Sequence, residues 1–322
     1  MPASASAVSN HRRPAHDPID TWAPVRALAH RWAALVLLGS TGTAWNAPIT
    51  FNTALPVHEE GWVLREQFIY NKNSRDPSPA NRDMRVSGLM SVLGYGVTRD
   101  FAVFGVLPYF EKRLDMDQDG QRVTRSDRGF GDLTVIGRYT AYQSDAPGRT
   151  FRVAPFLGVK APTGRDDARD GLGRLPSVVQ LGSGSWDALG GVVGTYQTLD
   201  FQIDSQLSYQ ANREANGFRF GNVTELDASF QYRLWPQIIG GGVPAFLYGV
   251  LEANLIHAQK NRSGGVADLN SGGTTLFLTP GLQYVTRKWI IEMGVQVPVA
   301  QNLNGTALKN NYILNTSFRI NF

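Results

Sequence analysis

The chain has no cysteine in 322 residues. That excludes a disulfide scaffold, thiolate metal sites and cysteine nucleophiles together. It also lacks any apolar run approaching the roughly 18–20 residues a membrane-spanning helix needs; the longest is residues 32–39. Charged residues make up 18%, below the roughly 25% of an ordinary globular domain. The formal net charge of +4 comes with no basic stripe beyond the N-terminal region, so nucleic acid is not an expected partner. Only His58 and His257 lie beyond residue 44, which leaves little for histidine chemistry. What the chain does have is 34 Gly and 11% aromatics, a mixture that favours β structure.

Residues 1–25 are rich in Ala, Ser, Pro and His and show no periodicity. Arg26 and Arg31 then precede an apolar stretch, Ala33 to Leu38, with small residues Gly42 and Ala44 after it. This order reads as a secretory signal peptide, although 25 upstream residues are long for one; a short buried helix is the alternative. The expected organisation is a removed leader over 1–44, a periplasmic N-terminal segment over 45–60 and a barrel over 61–322. Removing the leader takes four Arg and two Asp away, so the apparent basicity halves.

Beyond residue 60 the hydrophobic period is two. Phe201, Ile203, Leu207 and Tyr209 alternate with Gln202, Asp204, Gln206 and Gln210; Leu226, Ala228, Phe230 and Tyr232 alternate with Asp227, Ser229, Gln231 and Arg233. Such alternation marks strands with one apolar and one polar face. About twelve segments follow this pattern, near 61–72, 84–97, 101–113, 129–142, 150–161, 186–198, 201–211, 223–235, 244–256, 274–286, 288–299 and 310–322. The connections alternate long and short along the chain, with 73–83, 114–128, 162–185, 212–222, 257–273 and 300–309 long. An even number of antiparallel strands with short turns at one end and long loops at the other predicts an all-β, transmembrane up-and-down barrel. Only a closed barrel satisfies the backbone in lipid without helices. The final strand alternates to a terminal Phe322, with Tyr312 and Phe318 on the same face. It resembles the outer-membrane sorting signal read by the barrel-assembly machinery.

Facing mid-membrane lipid costs Arg or Lys about 2–4 kcal/mol, so charged strand residues are expected inside. The candidates are Arg65, Asp132, Arg138, Arg152, Lys160, Asp204, Asp227, Arg233, Glu252, Glu292 and Arg319. They would line a pore and tune its selectivity, or form a self-compensating ladder that fills it. Phe156, Phe246 and Tyr248 are the candidates for aromatic contacts with a solute, joined by Phe104 and Phe110 on a strand whose two faces are both apolar and therefore do not assign a side. Asp115, Asp117, Asp119 and Gly120 begin like a calcium loop, but Ser126 stands where a bidentate Glu belongs; a solvated turn at Asp119-Gly120 is the better reading. The Gly-rich runs at 182–185 and 240–242 lack the Lys-Ser/Thr of a phosphate loop. No metal and no cofactor is expected. A hydrolytic barrel using His257 as base is the enzymatic alternative.

Residues 95–112 (YGVTRDFAVFGVLPYFEK), GFGDLTVIGRY (129–139), APTG (161–164) and LPSVVQLGSGSWD (175–187) resemble the outer-membrane transporter family named for the meta-pathway of phenol degradation. The resemblance spans roughly 60–322. It implies a barrel of about twelve strands in the bacterial outer membrane, with aromatic and other small apolar compounds as solutes, and carries no transferable catalytic residues. With no nucleotide motif, the implied mechanism is diffusion. The long 162–185 loop is expected to fold inward as a plug or gate. A plugged structural barrel without transport is the remaining alternative.

Overall fold

The computed structural model describes residues 47–239 and 245–322; the expected leader lies outside the described residues. Twelve antiparallel strands close on themselves. They are β1 (Trp62–Asn73), β2 (Asp83–Gly96), β3 (Phe101–Gln118), β4, β5 (Arg149–Ala161), β6 (Asp187–Thr198), β7 (Phe201–Ala211), β8 (Val223–Trp235), β9 (Ala245–Ala258), β10 (Gly273–Thr286), β11 (Trp289–Leu303) and β12 (Tyr312–Asn321). The fourth runs in three pieces, Gln121–Phe130, Leu133–Tyr139 and Tyr142–Ala146. Closure is made by β1 against β12, from Val63 opposite Asn321 to Lys72 opposite Tyr312. No sheet edge is therefore left in the barrel wall.

The pleat sorts the side chains. In β8, Asp227, Ser229, Gln231 and Arg233 are buried, while Leu226, Phe230 and Tyr232 are exposed. The same inversion, polar within and apolar without, runs around the wall, and only lipid makes such an exterior favourable. Aromatic pairs mark the two ends of the apolar band. Trp62 and Tyr95 lie 4.6 Å apart between ring centroids at the short-turn end, and Tyr70 and Tyr312 lie 6.1 Å apart at the long-loop end. Three of the short turns share one device. Thr98, Thr198 and Thr286 each accept, through Oγ1, the backbone N–H of an aromatic three residues on, Phe101, Phe201 and Trp289. A hydroxyl thus closes the turn, and the aromatic starts the next strand at the interface.

The strand count agrees with the periodicity, but several boundaries differ. Residues 114–128, expected as a loop, continue β3 and β4 as a hairpin beyond the membrane band, with pairs from Phe110–Gly129 to Gln118–Gln121. Its tip is Asp119-Gly120, both at positive φ (52° and 76°), as a tight hairpin turn requires. The strand expected over 129–142 is interrupted at Gly131-Asp132, and its last piece pairs with the start of β5. Within the 162–185 connection, Ala168, Leu175 and Val179 pack on Met84 and Leu114. These two share strand parity with the inward-facing Met90 and Lys112, so the connection folds into the outer mouth.

Candidate functional site

The lumen is occupied by the chain itself. The segment expected to sit in the periplasm ahead of the barrel is, over its described residues 47–57, threaded inside it: Ala47, Ile49, Phe51, Ala54 and Leu55 are all buried. Non-repetitive backbone has unpaired N–H and C=O groups, so it stays in a lumen only where the wall supplies partners. The wall supplies them from two sides. On the acidic side, Glu252 accepts from the backbone N of Ile49 (2.6 Å) and Thr50 (3.1 Å) and from Thr50 Oγ1 (2.5 Å). Gln206 accepts from the side-chain amide of Asn52 (3.2 Å), Asp204 from Thr53 Oγ1 (3.0 Å) and Thr195 Oγ1 from Ala54 N (2.8 Å). On the basic side, Arg65 donates to Ile49 O (2.5 Å), and Arg138 donates to Thr53 O and to Leu55 O (2.7 Å). Carboxylates of β7–β9 thus take the strap's donors, and arginines of β1 and β4 take its acceptors.

Behind the strap the inward charges are linked. Arg65 Nη2 lies 2.6 Å and Arg319 Nη2 3.6 Å from Glu292 Oε1, and Glu292 also accepts from Gln283 (2.6 Å) and Ser317. Asp204 receives Thr195 and Gln202 (2.7 Å), and Asp227 receives Asn254 (2.9 Å) and Gln206 (3.2 Å). Arg233 reaches Asp200 in a short turn, and Arg152 lies 3.6 Å from Asp145 at the same end. Of the charges read from the strand pattern, Arg65, Arg138, Asp204 and Glu252 contact the strap, while Asp227, Arg233, Glu292 and Arg319 sit in the polar interior around it.

Asp132, Lys160 and Asp187 form a separate knot towards the outer end. Lys160 Nζ is 2.6 Å from Asp187 and 3.5 Å from Asp132. Asp132 also accepts Gly164 N (3.0 Å), Ser183 N (2.8 Å) and Ser183 Oγ (2.9 Å). A Cβ on Gly182 would come within 2.3 Å of Gly164 O, so glycine is needed for the two backbones to meet. Three motifs distant in sequence (GFGD, APTG and LGSGSWD) therefore converge on one carboxylate that anchors the long loop.

A cavity of about 670 Å³ remains between the strap and the wall. Its apolar side includes Met90, Val92, Phe104, Val106, Ile136 and Phe156, and Arg138, Arg319 and Glu225 also border it. Arg138 stacks over Phe104 at 4.9 Å. Phe156 is thus at the cavity, in contact with the buried cluster that includes Ala54. Phe246 and Tyr248 are not: they pack with Val285 and Ile290 beside a short turn, because β9 enters the wall there, below the cavity. Phe104, whose face the two apolar sides of β3 left open in the sequence, supplies a ring, and Phe51 supplies one that the strand pattern did not single out. The neutral amides of Gln67, Gln206 and Gln283 were legible only as polar strand positions.

The other motifs resolve simply. Asp115 is bonded by Arg113 and Thr124, and Asp117 by Arg122, so the acidic run of the hairpin is neutralised by its own arginines. His257 faces outward at the outer rim, 2.9 Å from Thr274 Oγ1. Tyr312 and Phe318 are exposed on the outer face, and Phe322 exchanges backbone hydrogen bonds with Trp62.

Residues 80–309 match the family described as "Putative MetA-pathway of phenol degradation". The fold is similar to an outer membrane channel from Pseudomonas putida F1, at 14% identity and a TM-score of 0.61, covering 86% of this chain and 100% of that one. Weaker similarities link it to the β domain of the Bordetella autotransporter BrkA (14% identity, TM-score 0.44, covering 82% of this chain and 100% of that one). The translocator domain of NalP from Neisseria meningitidis is 11% identical at a TM-score of 0.41, covering 93% and 95%. A comparison with curated proteins found no match. The matched span covers most of the barrel, so the chain belongs to this family and folds as a closed β-barrel of the bacterial outer membrane.

Proposed function

We propose that the barrel passes small apolar or aromatic solutes by diffusion, with the strap over residues 47–57 acting as its resident plug. The observation that carries this reading is the cavity of about 670 Å³ between strap and wall, one side of which is built from apolar and aromatic side chains. A self-filling structural ladder has no need of such a space, and a pore for ions would be lined by charge throughout. In this reading Arg65, Arg138, Asp204 and Glu252 hold the plug, while Phe156 and Phe104 meet the solute. Arg152, Lys160, Asp132, Asp227, Arg233, Glu292 and Arg319 keep the remaining interior wet and charge-balanced. The outward Tyr312 and Phe318 with Phe322 serve as the signal to the barrel-assembly machinery, and the exterior meets outer-membrane lipid. The family's description, with its reference to phenol degradation, supports an aromatic solute.

The strap's many hydrogen bonds favour one competing reading, a permanently plugged barrel. Planar bilayers and liposome flux separate the two. The full chain is expected to show a small, flickering conductance and flux of phenol and toluene, both raised by deleting 47–57. Absence of solute flux from both forms, with the barrel folded, rejects transport.

A further inference from the structure

Glu66 sits where no carboxylate is expected. Strand parity places Arg65 and Gln67 inside, where they contact the strap and Glu292, so Glu66 between them faces outward. Its neighbours across the ladder are Ser91 on β2 and Phe318 on β12, and Phe318 is exposed on the lipid face. Trp62 and Tyr70 mark the two aromatic belts on the same strand, four residues to either side. At about 3.3 Å per residue and a tilt near 40°, the belts are roughly 20 Å apart along the normal, which puts Glu66 near the middle of the bilayer. Among the described residues it is the one acidic or basic side chain directed outward between the belts. Its single donor among the described residues is Ser91 Oγ, 2.8 Å from Oε2. Hydrocarbon offers none.

The polar character extends beyond one residue. Ser87, Ser91 and Thr316 also face outward and lie on the strands flanking β1: Ser87 opposite Tyr70, Thr316 opposite Phe68. Ser87 and Thr316 have no hydrogen-bond partner for their hydroxyls among the described residues. Elsewhere the outward positions at this depth include Leu207, Leu226, Leu251, Leu278 and Met293, and the one hydroxyl among them, Ser205 on β7, already donates to Asp227 O at 3.1 Å. One face, β12–β1–β2, therefore carries at membrane depth an acceptor supplied by Ser91 alone and two hydroxyls, Ser87 and Thr316, whose donors are unused.

We propose that this face is an interface with a second copy of the chain, related by a twofold axis along the membrane normal. Two barrels inserted the same way present equal depths to each other, and an isologous contact centred on β1 sets β12 of one copy against β2 of the other. The Glu66 carboxyl of each subunit then keeps its own Ser91 hydroxyl and accepts in addition from the Thr316 hydroxyl of the other. A foreign partner would have to supply matching donors at the same depth, whereas this chain already has them.

The cysteine-free sequence gives a clean test in native outer membranes. Single-cysteine chains are made with Phe68→Cys, exposed on β1 beside the twofold axis, and Ala253→Cys, on β9 away from the proposed face, and oxidised with copper-phenanthroline. Phe68→Cys is expected to give a disulfide-linked species of twice the chain mass, and Ala253→Cys none. Adding Glu66→Leu is expected to lower the Phe68→Cys dimer yield about tenfold, the scale of losing one hydrogen bond to a charged group, while the heat-modifiable gel shift shows the barrel still folded. A Phe68→Cys yield no higher than the control, an adduct with a different polypeptide, or a yield unaffected by Glu66→Leu in a folded barrel overturns the proposal.

Discussion

Among the described residues Glu252 takes more of the strap's hydrogen bonds than any other wall side chain, since one carboxylate receives two backbone N–H groups and a hydroxyl. Hydrogen bonds to a charged group contribute about 1.5–3 kcal/mol each. Glu252→Leu removes three at once and leaves Ile49 N and Thr50 N without partners. The expected outcome is a single-channel open probability at least about tenfold higher than that of the parent chain, from the same energy scale; an unchanged record would separate the strap from gating. Asp132 is the corresponding residue for the outer loop. Asp132→Ala leaves Gly164 N and Ser183 N unpaired and halves the acidic surroundings of Lys160, a loss of about 3–5 kcal/mol for a broken buried pair. Limited proteolysis is expected to cut within 165–182 much faster in this variant, with the barrel wall intact.

At the scale of elements, the long-loop end is built from local pairings that lipid does not protect. The loop between β1 and β2 is organised by Asp76, which accepts from Ser78 N (3.1 Å), Ser78 Oγ (2.7 Å) and Arg82 N (2.6 Å) and pairs with the Arg82 guanidinium at 2.7 Å. Burial alone pushes this carboxyl up, but the Arg82 and Ser78 bonds outweigh it and hold the group well below the usual aspartate range. A depressed carboxyl stabilises the fold above its unfolded value of about 3.9 and loses that contribution as pH falls towards its folded value. Amide exchange at Ser78 and Arg82 is therefore expected to stay slow from neutral pH down to about 4, after correction for intrinsic rates, and to accelerate only in stronger acid. Asp76→Asn is expected to be fast throughout. The β3–β4 hairpin follows the same logic of local pairing. Its strand pattern was legible at Tyr109 and Phe110, but the alternation of Arg113, Asp115, Asp117, Arg122 and Arg128 looked like a loop because both faces of a hairpin outside the membrane meet water.

At the scale of the whole molecule, the wall and its contents are separable. The ladder from β1 around to β12 closes without any strap residue, so a chain lacking 47–57 is expected to fold with unchanged β content by circular dichroism and to keep its heat-modifiable gel shift. A misassembled barrel would show instead that the strap templates closure. The sequence by itself determined the wall: period-two alternation, twelve strands, loop lengths sorted by end, and the inward address of Arg138, Asp204 and Glu252. These are legible because lipid and lumen impose opposite demands on neighbouring residues, and the pleat writes that opposition directly into the chain. The tertiary structure alone decided what fills the wall. Residues 47–57 have no periodicity, and their place depends on hydrogen bonds to Glu252, more than two hundred positions away. Phe246 and Tyr248 share the parity of Phe156 yet sit below the cavity, since alternation assigns a side but not a depth. Glu66 breaks the outward pattern within an otherwise apolar band, and that became visible only when both neighbouring strands were in register. Contacts between distant segments follow from closure of the barrel, which no local pattern encodes.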